Sequence, residues 1–561
     1  MNQKLKSLQY TLVSATLLAV LAAGCSNSNN NNNNNASGTA TTSPASTAAG
    51  TAQDKPTAAE VKYPASLTYW VQMNGNAGAI MKTYNEMAAY KEIEKKTGTK
   101  VEFQHPPTGQ EKDQFNIMLA SGNLPDVVEY NFGSTVGLSA SQSPDALIKG
   151  NQLLRLNELI EQYAPNLSEV LKEHPEFRKM ITTDEGNIYV MPFLLGDELL
   201  SVVNGPIFRQ DWLDKLNLKV PTTIPEWETV LTAFRDKDPN GNGKQDEIPF
   251  FMNLVGDFDL NHLLIGAWGI TTDFYNDNGQ VKYGPIQPEY KEFLATLARW
   301  YKNGLIDKDY ASITDAKLKD NKVISNQVGA FSGFAGGGLG RYLTLVKETN
   351  PSFSLVGAPY PKLNEGGANP LGQYSLPFTG YGAAISAQAK NPEQIVRWLD
   401  YKYGEEGHML INFGIEGESY KMENGYPKFT DLIMNNPDKL PMSQAMAKYF
   451  QSGWNGPFVQ DKRVIEQYYT IPAQREAQKT WFQADHSKQM PSIALSADES
   501  SKTASIMNDV KTYRDEMFNK FVMGAEPIEN FDKYVQTMKS MGIDEAIKVR
   551  QAALDRYLTR K

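Results

Sequence analysis

The sequence predicts an α/β protein built on a parallel, doubly wound sheet, and three observations carry that prediction. Short apolar strands alternate with helical patterns from Leu67 onward. The helices open and close on recognisable caps. The 561-residue chain is long enough for at least two sizeable lobes.

Leu67 to Val71 reads as a strand, followed by a Gly/Asn loop at Asn74 to Gly78. Helical spacing runs from about Ala79 to Thr97 and stops at Gly98. Val101 to Phe103 resumes as a strand, Gln114 to Ala120 as a helix, and Leu124 to Tyr130 as a third strand. In such sheets ligands bind beyond the carboxyl ends of the strands. Trp70, Asn74, Glu129 and Tyr130 thereby fall at a cleft edge. The clearest helix opens at Thr223-Ile-Pro-Glu226. Thr223 and Glu226 can form a capping box, and Pro225 is tolerated in the first turn. Trp227, Val230, Leu231 and Phe234 then share one face. A second helix opens at Asn391-Pro392, buries Ile395, Trp398 and Leu399, and stops at Gly404. Helical stretches at about 508–523 and 530–558 finish the chain, and no internal repeat is found.

The N-terminus reads as an export signal. Lys4 and Lys6 precede a mostly apolar stretch, Thr11 to Ala23, which is short for a membrane span. Leu21 to Cys25 resembles a lipobox, with signal 1–24 and Cys25 acylated. It departs from the usual pattern in placing Ala22 where a large aliphatic residue is common. Cys25 is the one cysteine, so neither a disulfide framework nor a cysteine nucleophile is available to the folded part. Residues 25–61 form an Asn-, Ala-, Thr- and Ser-rich tether, expected to be disordered, with a reach of roughly 30 Å. The expectation is a protein held outside the cell membrane by palmitate-type lipid. The net charge of −9 and the absence of a Lys/Arg cluster after the tether argue against nucleic acid.

The strongest chemical motif spans Asp238 to Glu247. Oxygen-bearing side chains recur at Asp238, Asn240 and Asn242, with Gly243 at the sharp turn, as in an EF-hand-type calcium loop. The carbonyl of Lys244, then Asp246 and a bidentate Glu247, complete a hard-oxygen set suited to structural calcium. A longer register beginning at Asp236 also ends on Glu247. A solvated Asn-Gly turn without metal is the plain alternative.

Arg209 to Thr223, Trp227 and 236–249 together resemble the extracellular solute-binding proteins of family 1, in a lipoprotein branch related to alginate-binding proteins. Ala120 to Asp126, Val396 to Tyr401, Gly414 to Gly417 and Met541 to Asp544 add to the resemblance. It implies a periplasmic-binding-protein-like type II fold: two α/β lobes with a hinge and a ligand cleft. It further implies capture of an oligosaccharide and delivery to the permease subunits of an ABC importer, by a monomer. In that family the calcium loop has the shorter spacing. The usual crossings imply lobe 1 at 62–190 plus 360–435 and lobe 2 at 191–359 plus 436–561.

A sugar cleft needs aromatic platforms beside amides, carboxylates and arginine. The candidates are Trp70, Glu129, Tyr130, Arg209, Trp268, Phe334, Tyr374 and Trp454, at strand ends or in glycine-rich loops. Trp212, Trp227, Trp300 and Trp398 fall on helical faces and read as core, and Arg209 reads equally well as an ion-pair partner. Enzyme signatures are weak. His105, His174, His262, His408 and His486 show no helical metal spacing, and no Gly-x-Ser-x-Gly elbow occurs. Gly333 to Gly340 lacks the Lys-Ser/Thr of a phosphate loop and reads as a mobile loop at the cleft. A glycosidase needs two flanking carboxylates. Abundant Asp and Glu permit such a pair, so a lipid-anchored glycosidase stays a lesser alternative, as does peptide cargo; the expected role is binding, not catalysis.

Overall fold

Short runs rich in Val, Ile, Tyr and Phe pair into a five-stranded and a four-stranded sheet. A computed structural model describes residues 62–133, 142–252, 263–312, 316–451, 453 and 455–560, without the side chains of residues 316, 317 and 497. Cys25, the expected signal and tether, and Trp454 lie outside the described residues. Residues 56–561 form one unit by their contacts. Its sheet strands are β1 (Ser66–Val71), β2 (Lys100–Gln104), β3 (Val127–Asn131), β4 (Met191–Pro192), β5 (Asn204–Arg209), β6 (Ile248–Phe251), β7 (Val328–Phe334), β8 (Leu355–Gly357) and β9 (Tyr381–Ile385). The first sheet has the order β2-β1-β3-β9-β4, the second β8-β5-β7-β6.

β1 pairs in parallel with β2 and β3, as the strand–helix alternation implies. β9, however, runs antiparallel to both β3 and β4. Between β4 and β9 the chain leaves to build the second sheet and returns, so β9 enters from the opposite end. The second sheet is likewise mixed: β5 runs against β7 and β8, while β6 is parallel to β7. The expected all-parallel sheet is thus corrected by one long excursion of the chain.

Strand alternation divides the second sheet's faces between two cores. Phe208, Phe250 and Ala330 face one, with Trp227, Trp300 and the C-terminal helices. Ile207, Phe251 and Phe331 face the other, with Tyr342 and Trp481. The first sheet's core draws on Leu67 to Leu200 and on Phe378 to Val464. Met446, Phe450, Phe458 and Val464 therefore pack with the first sheet, beyond the position near 435 that the family's usual crossings imply.

Capping chemistry sets the helices. In α1 (Ile224–Asp236), the Thr223 hydroxyl accepts from the Glu226 amide, and the Glu226 carboxylate accepts from the Thr223 amide. Hydrogen bonds from Thr222 and Thr223 hold the Glu226 carboxyl below its usual range. α2 (Ala497–Val522) begins well before the expected 508, because Ser496 and Glu499 form a second capping box. The expected helix at 530–558 is two, Phe531–Ser540 and α3 (Ile543–Thr559), broken at Gly542, whose φ is +99°. The expected helix from Ala79 is also broken: Thr83 is extended and caps a single turn at Tyr84–Glu86, and the regular helix is Ala88–Thr97.

The chain passes between the two sheets three times, and buried glutamines tie the passages together. Gln373 Oε1 accepts from the amides of Val203 (2.9 Å) and Asn204 (3.3 Å), while its Nε2 donates to the Ser201 carbonyl (3.1 Å). Gln478 Nε2 donates to the carbonyls of Leu199 (2.7 Å) and Val202 (3.1 Å). Ile465 and Tyr468 in the third passage pack against both the first and the third core. Replacing Gln373 by Leu should remove the acceptor of the Val203 and Asn204 amides, while the Ser201 carbonyl keeps the Ser375 amide, and cost about 1–3 kcal/mol. A urea or thermal unfolding midpoint indistinguishable from that of the unaltered protein would contradict this.

Candidate functional site

The sheet ends that face each other across the crossings form the candidate ligand cleft. At the end of β3, Gly133 meets Gly380 (φ +100°) so closely that a Cβ on Gly380 would fall 2.4 Å from the Gly133 nitrogen. Side chains are excluded there, and an opening remains. A cavity of about 260 Å³ lies between the two sheets' bodies, walled by Phe132, Gly133 and Gly380 on one side and by Ser500, Thr503 and Arg550 on the other.

An ion-pair cluster closes one edge of this cavity. Asp184 on the first body binds Arg556 at 2.6 Å and also pairs with Arg560, both in or next to α3. Arg556 in turn grips Glu499 in the first turn of α2 at 2.6 and 2.8 Å. Lys179 lies 5.0 Å over the Tyr557 ring beside them. Desolvation and the carboxylates act oppositely on Arg556, and the hydrogen bond it donates to Glu499 is the largest influence, raising its pKa.

The structure distributes the sequence-derived ligand candidates unevenly. Trp70 is 4% exposed and packs on Phe115 and Tyr130. Tyr130 stacks on Phe115 at 4.5 Å, although its hydroxyl is buried without a partner. Both rings fill the first core, because helices cover the first sheet and leave no free strand face. Glu129 is buried too, accepting from the Tyr69 hydroxyl at 2.7 Å. Burial pushes the Glu129 carboxyl up, opposed by buried Lys402, which lies 4.8 Å over Trp398. Arg209 is a structural ion-pair partner: it binds Asp211 at 2.8 and 2.6 Å and is sandwiched by Trp212 and Phe353. Trp268 is 8% exposed, edge-on to Phe293. These five candidates are held inside the lobes and offer no platform.

Phe334, by contrast, is 44% exposed at the end of β7, the one exposed aromatic among the described residues. The glycine-rich stretch after it is not an irregular loop but a π-helical turn, Ala335–Gly340, a wide turn that small residues permit. Gly336 within it lies against Tyr468. Tyr374 is half-buried in the second passage, 4.7 Å from the His486 ring. Trp454 lies outside the described residues, but its neighbour Gly453 abuts Asn74. Asn74 caps a short helix through its Oδ1, and its Nδ2 is buried without a partner. Sequence reasoning missed Arg550, Asp184 and Arg556, which look like ordinary surface charges in a linear reading.

The loop after α1 arranges oxygens about a turn. Asp238, at φ +46°, accepts from the amides of Gly241, Asn242 and Gly243 at 3.0–3.1 Å. The side-chain amides of Asn240 and Asn242 donate to Asp246 Oδ1 at 3.0 and 2.9 Å, and the Lys244 amide donates to Asn242 Oδ1. Both carboxylate oxygens of Glu247 are buried without a partner. Burial pushes the Glu247 carboxyl up, and Asp238 and Asp246 add to that shift. Among the described residues no three His, Cys, Asp or Glu side chains converge as a ready metal cluster. The donor chemistry still fits a hard cation: Glu247 is an orphaned buried carboxylate beside amide and carboxylate oxygens. Asp236 pairs with Arg235 at 2.7 Å and lines the same surface pocket as Asp246 and Glu247, so both registers stay open.

Separate cores joined by three passages, with a cavity between them, define a two-lobed α/β binding protein of the periplasmic type. The profile of the bacterial extracellular solute-binding protein family matches residues 74–409, and the chain belongs to that family. It is 27% identical over 517 residues to the fructooligosaccharide ABC transporter substrate-binding protein FusA of Streptococcus pneumoniae serotype 4, covering 85% of this chain and 88% of that protein. It is 26% identical over 480 residues to lipoprotein LipO of Bacillus subtilis, covering 82% and 87%. The structure of alginate-binding protein AlgQ2 without calcium ion aligns with a TM-score of 0.64 at 27% identity, covering 87% of this chain and 98% of that one. These relatives are solute-binding proteins and a lipoprotein by name, not enzymes.

Asp184→Asn should loosen the closed edge by about 1–3 kcal/mol, since Arg556 is partly solvent-screened but the buried Arg560 loses its carboxylate. Small-angle scattering of the ligand-free variant should show a larger radius of gyration. An unchanged radius would mean the cluster does not hold the lobes together.

Proposed function

We propose that this protein captures an oligosaccharide between its two lobes outside the cell membrane and hands it to an ABC importer. The single observation that carries this reading is the two-core architecture with a cavity at the crossings, in a chain of the solute-binding family. FusA, a fructooligosaccharide-binding relative, supports a saccharide cargo. The lipobox-like Leu21 to Cys25 and the similarity to LipO support acylation of Cys25. No helix among the described residues is long and apolar enough to cross a membrane, so attachment would rest on that lipid. The lobes divide near 200, 377 and 465, where the cores exchange, and the protein acts as a monomer. Phe334, Tyr374 and Trp454 serve as ring platforms, with Asn74 as an amide donor. Calcium occupies the loop at Asp238, Asn240, Asn242, Lys244, Asp246 and Glu247, pinning the end of α1 without taking part in chemistry.

A thermal-shift screen against oligosaccharides tests the cargo. A bound sugar at a hundredfold excess over Kd should add roughly 2.7 kcal/mol, and it should be recovered uncleaved. A shortened sugar would point to a glycosidase, and a response to peptides alone would replace the cargo. Phe334→Ala should weaken sugar binding by about 0.5–1.5 kcal/mol, up to roughly tenfold. An unaltered affinity would remove Phe334 from the cleft. Chelator should lower the unfolding midpoint of the unaltered protein and leave that of Glu247→Gln unchanged; equal responses would refute the calcium site.

A further inference from the structure

Local charge in the cavity runs against the charge of the whole protein. The net charge is −9, yet the described residues that line the cavity include Arg550 and Arg560 and no Asp or Glu. Arg560 is engaged by Asp184. No carboxylate among the described residues lies within ion-pair distance of Arg550. Its Nε is buried without a hydrogen-bond partner, and its guanidinium lies 4.3 Å over the Phe274 ring. Asp273 acts on it through space only, outside ion-pair distance, and burial is the dominant influence on it.

Arg550 is partly buried and Nε alone of its nitrogens is sealed and unpartnered, a costly arrangement, so it is the terminal nitrogens at the cavity wall that a ligand acceptor can reach. Phe274 satisfies one face of the ion but accepts none of its N–H groups. The missing partner must be an acceptor that fits a planar fork, and a carboxylate fits bidentately. The remaining walls describe what carries that carboxylate. Ser500 and Thr503 present hydroxyl-bearing side chains, and Phe132 presents an apolar surface. Hydroxyls beside an apolar surface suit a saccharide ring. A volume of about 260 Å³ is below the usual 300–1,000 Å³ of small-molecule pockets. It suits one ring at a chain end better than a whole oligosaccharide.

We propose that this cavity receives an acidic sugar ring whose carboxylate is bound by Arg550. The inference rests on the saccharide-capture reading and narrows it: the cargo is anionic at the end that enters between α2, α3 and the ends of β3 and β9. Arg550 is thus a specificity-determining residue, whereas Asp184 and Arg556 act on lobe closure.

Calorimetric titration of the full chain with digalacturonate and with its neutral counterpart, galactobiose, at matched ionic strength tests this. The acidic disaccharide should bind about tenfold tighter or more. Arg550→Gln should abolish that preference, with folding checked by the unfolding midpoint. If Arg550→Gln fails to fold, two measurements replace it. Arg550→Lys, which keeps the charge and loses the fork, should show an intermediate preference. In the unaltered protein the preference should shrink as salt is raised. Equal binding of both disaccharides would overturn the inference and leave saccharide capture standing. Failure of every sugar in the wider screen would overturn both. Competition by inorganic sulfate as effective as digalacturonate would overturn the sugar-ring assignment in favour of simple anion capture.

Discussion

Everything in this protein depends on how two separately packed bodies are held together by three backbone passages. A side chain that accepts from two amides and donates to a carbonyl, as Gln373 does, makes neighbouring passages behave as one element. Gln478, in the helix that follows the third passage, donates to the Leu199 and Val202 carbonyls of the first. Backbone groups in such connections have no sheet or helix ladder to satisfy them, and leaving them unpaired in a buried place is expensive. Two amides thus supply what regular secondary structure supplies elsewhere. Because Ile465 and Tyr468 pack on both bodies, the joint is continuous with both cores.

Charge is used differently at three depths. In the first core, Glu129 and Lys402 are buried together among Tyr69, Tyr90 and Trp398, where each shifts the other toward its charged form. A pair so deep contributes less to net stability than to a unique packing, since desolvation offsets much of its attraction. At the cleft edge, Asp184 and Arg560 are largely buried while Arg556 is partly exposed, and the cluster links elements that share no core. Between these depths, Arg550 has an aromatic face and no paired anion among the described residues. The gradient from paired interior to unpaired cavity wall is what a binding protein needs, because the unpaired group is where a ligand gains most.

Local chemistry made parts of this legible. Thr223 and Glu226 announce a helix start because capping involves atoms three residues apart, and that geometry is encoded in the string itself. The loop from Asp238 to Glu247 is readable for the same reason. The candidate cleft was read less well. Trp70, Tyr130 and Trp268 do stand at strand ends or between glycines, yet Trp70 and Tyr130 pack on Phe115 and Trp268 on Phe293, and all three are buried. Phe334 was read from the same kind of signal and is exposed. Nothing in the neighbouring residues separates the two outcomes, because burial at a strand end is decided by what the rest of the chain lays over it.

By itself, the sequence determined the α/β class, the capped helices, the oxygen-rich loop and the export-signal pattern, all of which depend on residues within a few positions of one another. Only the tertiary structure decided that both sheets are mixed, since β9 meets β3 after an excursion of roughly 250 residues whose direction no local pattern records. It also decided which core takes Met446, Phe450, Phe458 and Val464, and that among the described residues Arg550 has no paired anion while Arg556 and Arg560 have one. An arginine's partner is set by three-dimensional proximity, and long-range charge pairing leaves no mark on the residues beside it.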